Sequence, residues 1–228
     1  MGKFAQSVEQ KMEGNQLEVR GENKMWLVRH LEVIRMLMLE DLRIAKNHLV
    51  HVFPPRYLIA QHCISLYHSV VSERLENIIE DGLEGQEFVT VLQWVLNTYP
   101  GPDLMGSTSL NLEKNLIPEL LTETAVNKLI AQYLGNMRDN YSGWMNNTIK
   151  QEKEDWCSDK DPEMDFDGFF HTSSPVIIYQ MVDENLQVSA TISQDLVSKV
   201  LLLGIEQVTR FGHMYRYYYY YYYYYYYR

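Results

Sequence analysis

The stretch KMWLVRHLEVIRMLMLEDLRIAKNHLVHVF, Lys24 to Phe53, decides the fold because its apolar residues recur at intervals of three and four. On a helix this spacing places the recurring side chains on one face for about six turns. The stripe consists of Leu27, Leu31, Ile34, Met38, Leu42, Ala45 and Leu49. It stops before Pro54 and Pro55, which lack amide hydrogens and cannot continue a helix. We therefore expect a long amphipathic helix with one buried face.

The same spacing recurs further along the chain. A second stripe runs from Tyr57 to Ile78 and fades in the sequence EDGLEG, and a third runs from Phe88 to Tyr99. A fourth helix is predicted from about Pro118 to Trp156, weakened by two internal glycines. Long helices joined by short breaker loops favour antiparallel neighbours. The predicted fold class is all-α, with long amphipathic helices in antiparallel stacked bundles.

A final helix is predicted to begin in TSSPVIIYQM, with Ser174 as the N-cap and Pro175 at the first helical position. Its apolar face continues without interruption toward Phe211. Near the end, LLLGI at 201–205 is broader than a single stripe, which indicates packing on more than one side. We expect this end of the chain to be prone to aggregation unless a further helical layer covers it.

The run of tyrosines from Tyr217 to Tyr227 has neither a helical nor a strand period. We interpret it as a low-complexity tail that is an artefact, with a real aromatic low-complexity tail as the alternative, and exclude it from the fold prediction. The predicted domains are the end of a preceding helix plus a loop at 1–23, a helical bundle at 24–156, an acidic connector at 157–174, a helix at 175–214 that continues toward a further bundle, and the tail at 215–228.

The acidic stretch DKDPEMDFDGFFHT resembles a calcium loop, because Glu163, Asp165 and Asp167 alternate before Gly168. A calcium-binding EF-hand loop closes with a bidentate Glu at its twelfth position. Counted from Glu163, that position is Ser174, which offers one neutral oxygen. We favour a connector between helices. An ion-responsive helical binding module that uses the loop at 159–168 remains the alternative.

Charge and composition exclude several classes of protein. The formal net charge of -10 argues against a nucleic-acid-binding protein, which needs a basic face. The basic stretch from Met25 to Arg56 is interpreted as a solvated helix face, with anionic lipid or an acidic partner as the alternative. The sequence contains no run of eighteen apolar residues, so no transmembrane segment is predicted. Cys63 and Cys157 stand far apart, which suggests no disulfide framework and a reducing, cytoplasmic setting.

The chain lacks the sequence patterns of a catalytic or metal centre. His48 and His51 are spaced for one helix face, and His62 and His68 follow, but no third zinc ligand accompanies them in a known motif. Phosphate-binding glycine loops and nucleophile elbows are absent from the sequence. We predict no catalytic, metal-binding or cofactor-binding residues and no cofactor. An enzyme would require unrelated residues to converge in a deep pocket.

Several long strings are similar to a known family. They are NKMWLVRHLEVIRMLMLEDLRIAKNHLVHVFPPRY, LQWVLNTY, EKEDW and PEMDFDGFFHTSSPVIIYQMVDENLQVSATISQDL, and the similarity covers roughly Phe4 to Phe211. They resemble the family of exocyst complex component three, a subunit of the complex that tethers secretory vesicles to the plasma membrane. The match is to the central portion of a much longer subunit.

The resemblance implies a rod of stacked helical bundles and a non-enzymatic tethering scaffold. It implies other exocyst subunits and SNARE proteins as partners, and peripheral membrane association through the complex. It also implies a cytoplasmic protein that is recruited to sites of secretion at the plasma membrane. It does not identify the residues that contact these partners.

Overall fold

The computed structural model describes residues 22–112, 117–158 and 171–226, together with positions 6, 8, 10–12, 14, 20, 164 and 166–168. The chain divides into two compact units, Met1–Leu129 and Ile130–Arg228. Throughout the described ranges the extended elements are helices and no strand is present, which confirms the predicted all-α class. The domain limits given by the sequence patterns remain predictions.

In the first unit, helix α1 (Trp26–Ile44) buries the face that its sequence predicts. The buried stripe residues are Leu27, Leu31, Ile34, Met38 and Leu42. A π-helical turn, Ala45–Leu49, and a short helical turn, Val50–Val52, continue the helix. Because the wider π turn shifts the angular position of later residues, Ala45 is buried but Leu49 is only half-buried. The predicted stripe is therefore correct up to Ala45.

Helix α2 (Ile59–Glu80) starts later than the second stripe predicts. Pro54 and Pro55 lead into a short 3-10 turn, Pro55–Tyr57, so Tyr57 lies outside the helix and is exposed. The buried residues of α2 are Cys63, Tyr67, Val71, Leu75 and Ile78. Helix α3 (Gln86–Gln93) follows and continues as a π-helical turn, Trp94–Thr98. It buries Phe88, Val91 and Leu92 as predicted.

Helix α4 (Glu123–Trp156) is a single uninterrupted helix. It begins after Thr122, whose hydroxyl accepts the amide of Ala125 at 3.2 Å. It passes through Gly135 and Gly143 without a break. From Ile130 onward α4 belongs to the second unit, where it buries a stripe of Ile130, Tyr133, Met137, Tyr141, Met145 and Ile149.

The predicted single final helix is instead two helices, α5 (Ser174–Ala190) and α6 (Gln194–Tyr226). Three side chains favour the turn between them. The Ser189 and Thr191 hydroxyls donate to the carbonyls of Leu186 and Val188, at 2.8 and 2.7 Å. The Ser193 hydroxyl accepts the Leu196 amide at 3.2 Å and caps the start of α6. These local bonds offer the backbone an alternative to continued helix.

The two helices approach closely, because Gly204 of α6 faces Val182 of α5. A Cβ added at Gly204 would lie 3.1 Å from a Val182 methyl carbon. The buried residues of this pair include Ile178, Ser189, Leu196, Val200 and Leu203. The small side chain at 204 therefore permits the contact that the turn at 191–193 creates.

The tyrosine run, which was excluded from the fold prediction, continues α6 to Tyr226. The rings of Tyr215 and Tyr219 contact Trp156 edge-on, with centroids 5.2 and 6.1 Å apart. A run of identical residues has no apolar period from which a helix could be predicted. An existing helix can nevertheless extend into the run, and residues four apart then face the same partner. The structure thus integrates at least part of the run into the second unit.

Met38→Ala should lower the free energy of unfolding by about 2–5 kcal/mol, because it leaves a cavity in a closed core. Met38 is 0% exposed, whereas Met36 on the same helix is 58% exposed. Met36→Ala is the matched control and should change stability by no more than about 0.5 kcal/mol. Guanidinium unfolding followed by circular dichroism measures both. Equal losses would show that α1 does not bury the face described above.

Candidate functional site

The four histidines considered as metal ligands do not form a site. His48, His51 and His62 are exposed, and His68 is half-buried on α2. His68 Nδ1 is hydrogen-bonded to the Tyr99 hydroxyl at 2.8 Å, and burial lowers the pKa of His68. Among the residues that the structure describes, no group of three or more His, Cys, Asp or Glu side chains could hold a metal ion. His68 therefore acts in packing between α2 and the segment after α3.

The acidic loop gives little support to the ion-binding alternative. Glu163 and Asp165 lie outside the described residues, while Asp167 is exposed beside Gly168, whose φ is +83°. Ser174, at the loop's twelfth position, is buried and donates its hydroxyl to Glu152. It is not the helix cap predicted from the sequence, because Ser173 occupies the N-cap position. The Ser174 oxygen is thus committed to a contact within the protein.

Glu152 is a buried carboxylate that joins three parts of the second unit. Its Oε1 accepts the hydroxyls of Thr172 and Ser174. The Ser174 amide in turn donates to the Thr172 hydroxyl at 3.2 Å. Burial, followed by the negative charge of Glu152, raises the pKa of Tyr215 on α6 to about 12. These bonds fix the start of α5 against the last turns of α4.

No role was predicted for Glu152 from the sequence. A signal was present, because Glu152 follows Tyr141, Met145 and Ile149 at intervals of four, four and three. An acid at a core position of an amphipathic helix requires hydrogen-bond partners when it is buried. The hydroxyls that supply them come from TSSP, the sequence that starts α5.

A second polar cluster, which is half-buried, lies at the first turn of α1. The Trp26 indole donates to Glu87 Oε1 at 2.7 Å, and Arg20 Nε donates to the same oxygen at 3.2 Å. Burial would raise the pKa of Glu87, but the hydrogen bonds from Trp26, the Glu84 amide and Arg20 outweigh it and lower that pKa. The cluster connects α1 to α3.

His30 lies beside this cluster and is 3% exposed. Its ring stacks on Trp26 with centroids 6.2 Å apart, and its Nε2 accepts from Arg74 Nε at 3.3 Å. Within the described part of the chain, His30 Nδ1 is buried without a hydrogen-bond partner. Burial and, secondarily, the positive charge of Arg74 lower the pKa of His30 to about 4. His30 is therefore a neutral core residue at physiological pH.

One cavity, of about 540 Å³, lies along α1 and has charged residues in its lining. Three of the charged lining residues, Lys11, Arg35 and Asp41, already have bonded partners. Lys11 forms an ion pair with Asp41 at 2.7 Å, and Asp41 also accepts the Tyr67 hydroxyl. Arg35 pairs with Glu32 at 2.5 Å and donates to the Asp103 carbonyl at 3.0 Å. These bonds connect α1 to Tyr67 on α2 and to the segment at Asp103.

Exposed apolar residues form the other notable surfaces. In the second unit they are Val176, Ile177 and Tyr179 on α5 and Leu201, Leu202 and Ile205 on α6. Leu203 is buried, so the broad apolar run at 201–205 places residues on both a covered and an uncovered face. None of the helices within the described ranges is long and apolar enough to cross a membrane. These faces are surfaces on which another protein segment can pack.

Lowering the pH should destabilise the protein through His30. The ordinary pKa near 6.5 applies to the unfolded chain and a value of about 4 to the folded one, so only the unfolded state binds this proton between them. The contribution of neutral His30 to the free energy of unfolding is therefore complete above pH 6.5 and is lost as the pH falls toward 4. The free energy of unfolding should fall by at most about 3 kcal/mol for this reason.

Guanidinium unfolding at several pH values between 7.5 and 4.5 measures this dependence. His30→Phe keeps a ring against Trp26 and should flatten the pH profile. His51→Phe, at an exposed position, is the matched control and should retain the wild-type profile. An unchanged slope in His30→Phe would contradict the assignment.

The chain is similar to exocyst proteins over most of its length. A family model described as exocyst complex component Sec6 matches residues 1–219. The chain is 44% identical over 216 residues to exocyst complex component 3 of Drosophila melanogaster, covering 94% of this chain and 29% of the relative. It is 29% identical over 213 residues to exocyst complex component 3 of Caenorhabditis elegans, covering 92% and 26%. The chain thus spans less than a third of the length of these relatives.

The fold comparison agrees with the sequence comparisons. The crystal structure of M-Sec aligns with a TM-score of 0.77 and covers 94% of this chain and 37% of that chain. At 20% identity, this likeness shows the helical fold alone. The family match extends across both compact units and all six helices described above. The chain belongs to the Sec6 family of exocyst complex components.

Proposed function

We propose that this chain is a non-enzymatic scaffold segment of the exocyst, the complex that tethers secretory vesicles to the plasma membrane before SNARE-mediated fusion. The family match over residues 1–219 carries the proposal. The bonding of polar groups within the fold supports it, because the buried Glu152 and the half-buried Glu87 both accept hydrogen bonds that join helices. Carboxylates that are bonded in this way hold backbone elements in position and are poorly placed to act on a substrate.

The proposed partners are other exocyst subunits and SNARE proteins. The relatives named exocyst complex component 3 support the first class of partner. We propose that the protein is cytoplasmic and reaches plasma-membrane sites of secretion by assembling with those subunits. Since the chain spans about 29% of the Drosophila relative, contacts of the whole subunit are distributed over a longer protein.

The exposed apolar face of α6 is the contact surface that we propose for another exocyst subunit. Leu202 is 68% exposed and lies between Leu201 and Ile205, which are exposed as well. Beneath them, Leu203 and Val200 are buried, so the backbone of this helix is held by the core. A rigid helix with an uncovered apolar row fits a partner helix that completes the packing.

The immobilised chain, residues 1–228, should recover exocyst subunits from a cell lysate, identified by mass spectrometry. Leu202→Ser combined with Ile205→Ser should reduce recovery at least about tenfold, because truncating a hot-spot residue at the centre of an interface costs about 1 kcal/mol or more. Met36→Ser, at a comparably exposed apolar residue of the first unit, is the matched control and should bind as wild type.

Recovery of no exocyst subunit by the wild-type chain would contradict the scaffold proposal. Equal recovery by wild type and the α6 variant would instead reject α6 as the contact surface. Circular dichroism of each variant establishes that the helices remain folded before binding is compared.

A further inference from the structure

The turn between α1 and α2 exposes a cluster of apolar side chains. We call Val50, Val52, Phe53, Tyr57 and Leu58 the tip. Val52 is 75% exposed and Leu58 is 55% exposed, and the residues from His51 to Leu58 are all exposed. A contiguous exposed apolar cluster of this kind is typical of a site that contacts a protein or a membrane.

The backbone of the tip is held in place. The Phe53 amide donates to the Leu49 carbonyl at 3.1 Å, and the Tyr57 amide donates to the Pro54 carbonyl at 3.0 Å. Pro54 and Pro55 restrict their own φ angles and keep the segment from extending the helix. The Phe53 and Tyr57 rings meet edge-on with centroids 6.5 Å apart. The apolar side chains are thus presented in a defined arrangement before any partner arrives.

Leu58 adds a second observation. Its φ of +44° lies in the left-handed region, which is unfavourable for a residue with a Cβ and favours glycine. The carbonyl of Leu58 accepts the His62 amide at 3.0 Å and so begins α2. Glycine at this position would form the same turn at lower conformational cost. The presence of a large exposed apolar side chain there is explained by a use for that side chain.

The charge around the tip distinguishes it from the rest of the protein. The chain contains 30 Asp and Glu residues, yet none occurs from Leu42 to Ser72. This segment contains Arg43, Lys46 and Arg56, together with the exposed His48, His51 and His62. The hydrogen bonds of Arg43 and Lys46 run to neutral oxygens, the Ser109 hydroxyl and the Ser109 and Leu110 carbonyls, and so do not neutralise these cations.

An anionic lipid surface matches these features. Aromatic residues favour the boundary between lipid headgroups and acyl chains, and cations near the surface are attracted to anionic headgroups. In the tip, Arg56 lies over the Tyr57 ring, with its Cζ 5.3 Å from the ring centroid, so a cation and an aromatic ring are presented together. An acidic peptide without apolar side chains would meet the charge but leave the apolar cluster uncovered.

We propose that the tip binds the surface of an anionic membrane, with Phe53 and Leu58 entering the interface and Arg56 contacting lipid phosphates or carboxylates. This contact goes beyond the scaffold function proposed above, because it is made by this chain directly and needs no other subunit. A failure of membrane binding would therefore leave the assembly proposal intact. A failure of assembly would likewise leave the membrane proposal intact.

Vesicle co-sedimentation of the full chain tests the proposal. Wild type should bind vesicles of phosphatidylcholine with about 30% phosphatidylserine and bind pure phosphatidylcholine much more weakly. Phe53→Ser combined with Leu58→Gly should reduce the partition coefficient about tenfold or more, since two apolar anchors are removed. Arg56→Gln should reduce it about fivefold.

Tyr179→Ser on α5 is the matched control, because Tyr179 is 65% exposed but lies outside the tip, and it should bind as wild type. Leu58→Gly alone relieves the left-handed strain, so its melting temperature should equal or exceed that of wild type while lipid binding falls. This variant separates loss of binding from loss of folding.

Three results would overturn the proposal. The first is equal binding of wild type to neutral and anionic vesicles, and the second is unchanged binding by the tip variants. The third is tip-dependent binding to polyglutamate without binding to vesicles, which would identify an acidic protein as the partner.

Discussion

The burial of one continuous apolar face on α1 is the constraint on which the first unit depends. Leu27 through Leu42 can leave water only if other helices cover that face, and residues of α2 and α3 provide the cover. The polar side of α1 is equally used, since Arg35, Arg43 and Lys46 bond groups in the segment 103–110. One helix therefore organises both the core and the long loop after α3.

The apolar periodicity was sufficient to predict those helices in which the apolar pattern stops where the helix ends. It failed where the spacing continues through a turn, as Val188, Ile192 and Leu196 do across the break between α5 and α6. The signal for that turn is the hydroxyl chemistry of Ser189, Thr191 and Ser193, which depends on local competition for backbone bonds. Leu49 departs from the stripe for a different reason, because a π turn changes the angle per residue.

Site prediction was limited for a related reason. The sequence shows residue types, but the roles of His30 and Glu152 depend on which distant groups fold against them. His30 is neutral because burial and Arg74 act together, and Glu152 is tolerated in the core because Thr172 and Ser174 donate to it. Both clusters join segments of a helical framework. We therefore propose the exposed apolar faces of this framework, Leu201, Leu202 and Ile205 on α6 and the tip, as its binding surfaces.

Native-state amide hydrogen exchange on the full chain tests the organising role of α1 most directly. The amides from Ile34 to Met38 should exchange only through unfolding of the whole first unit, with the largest opening free energy in that unit. The exposed residues from His51 to Leu58 should exchange through small local openings with much lower free energies. If the Ile34–Met38 amides exchanged as readily as those of the tip, α1 would not be the element on which the first unit depends.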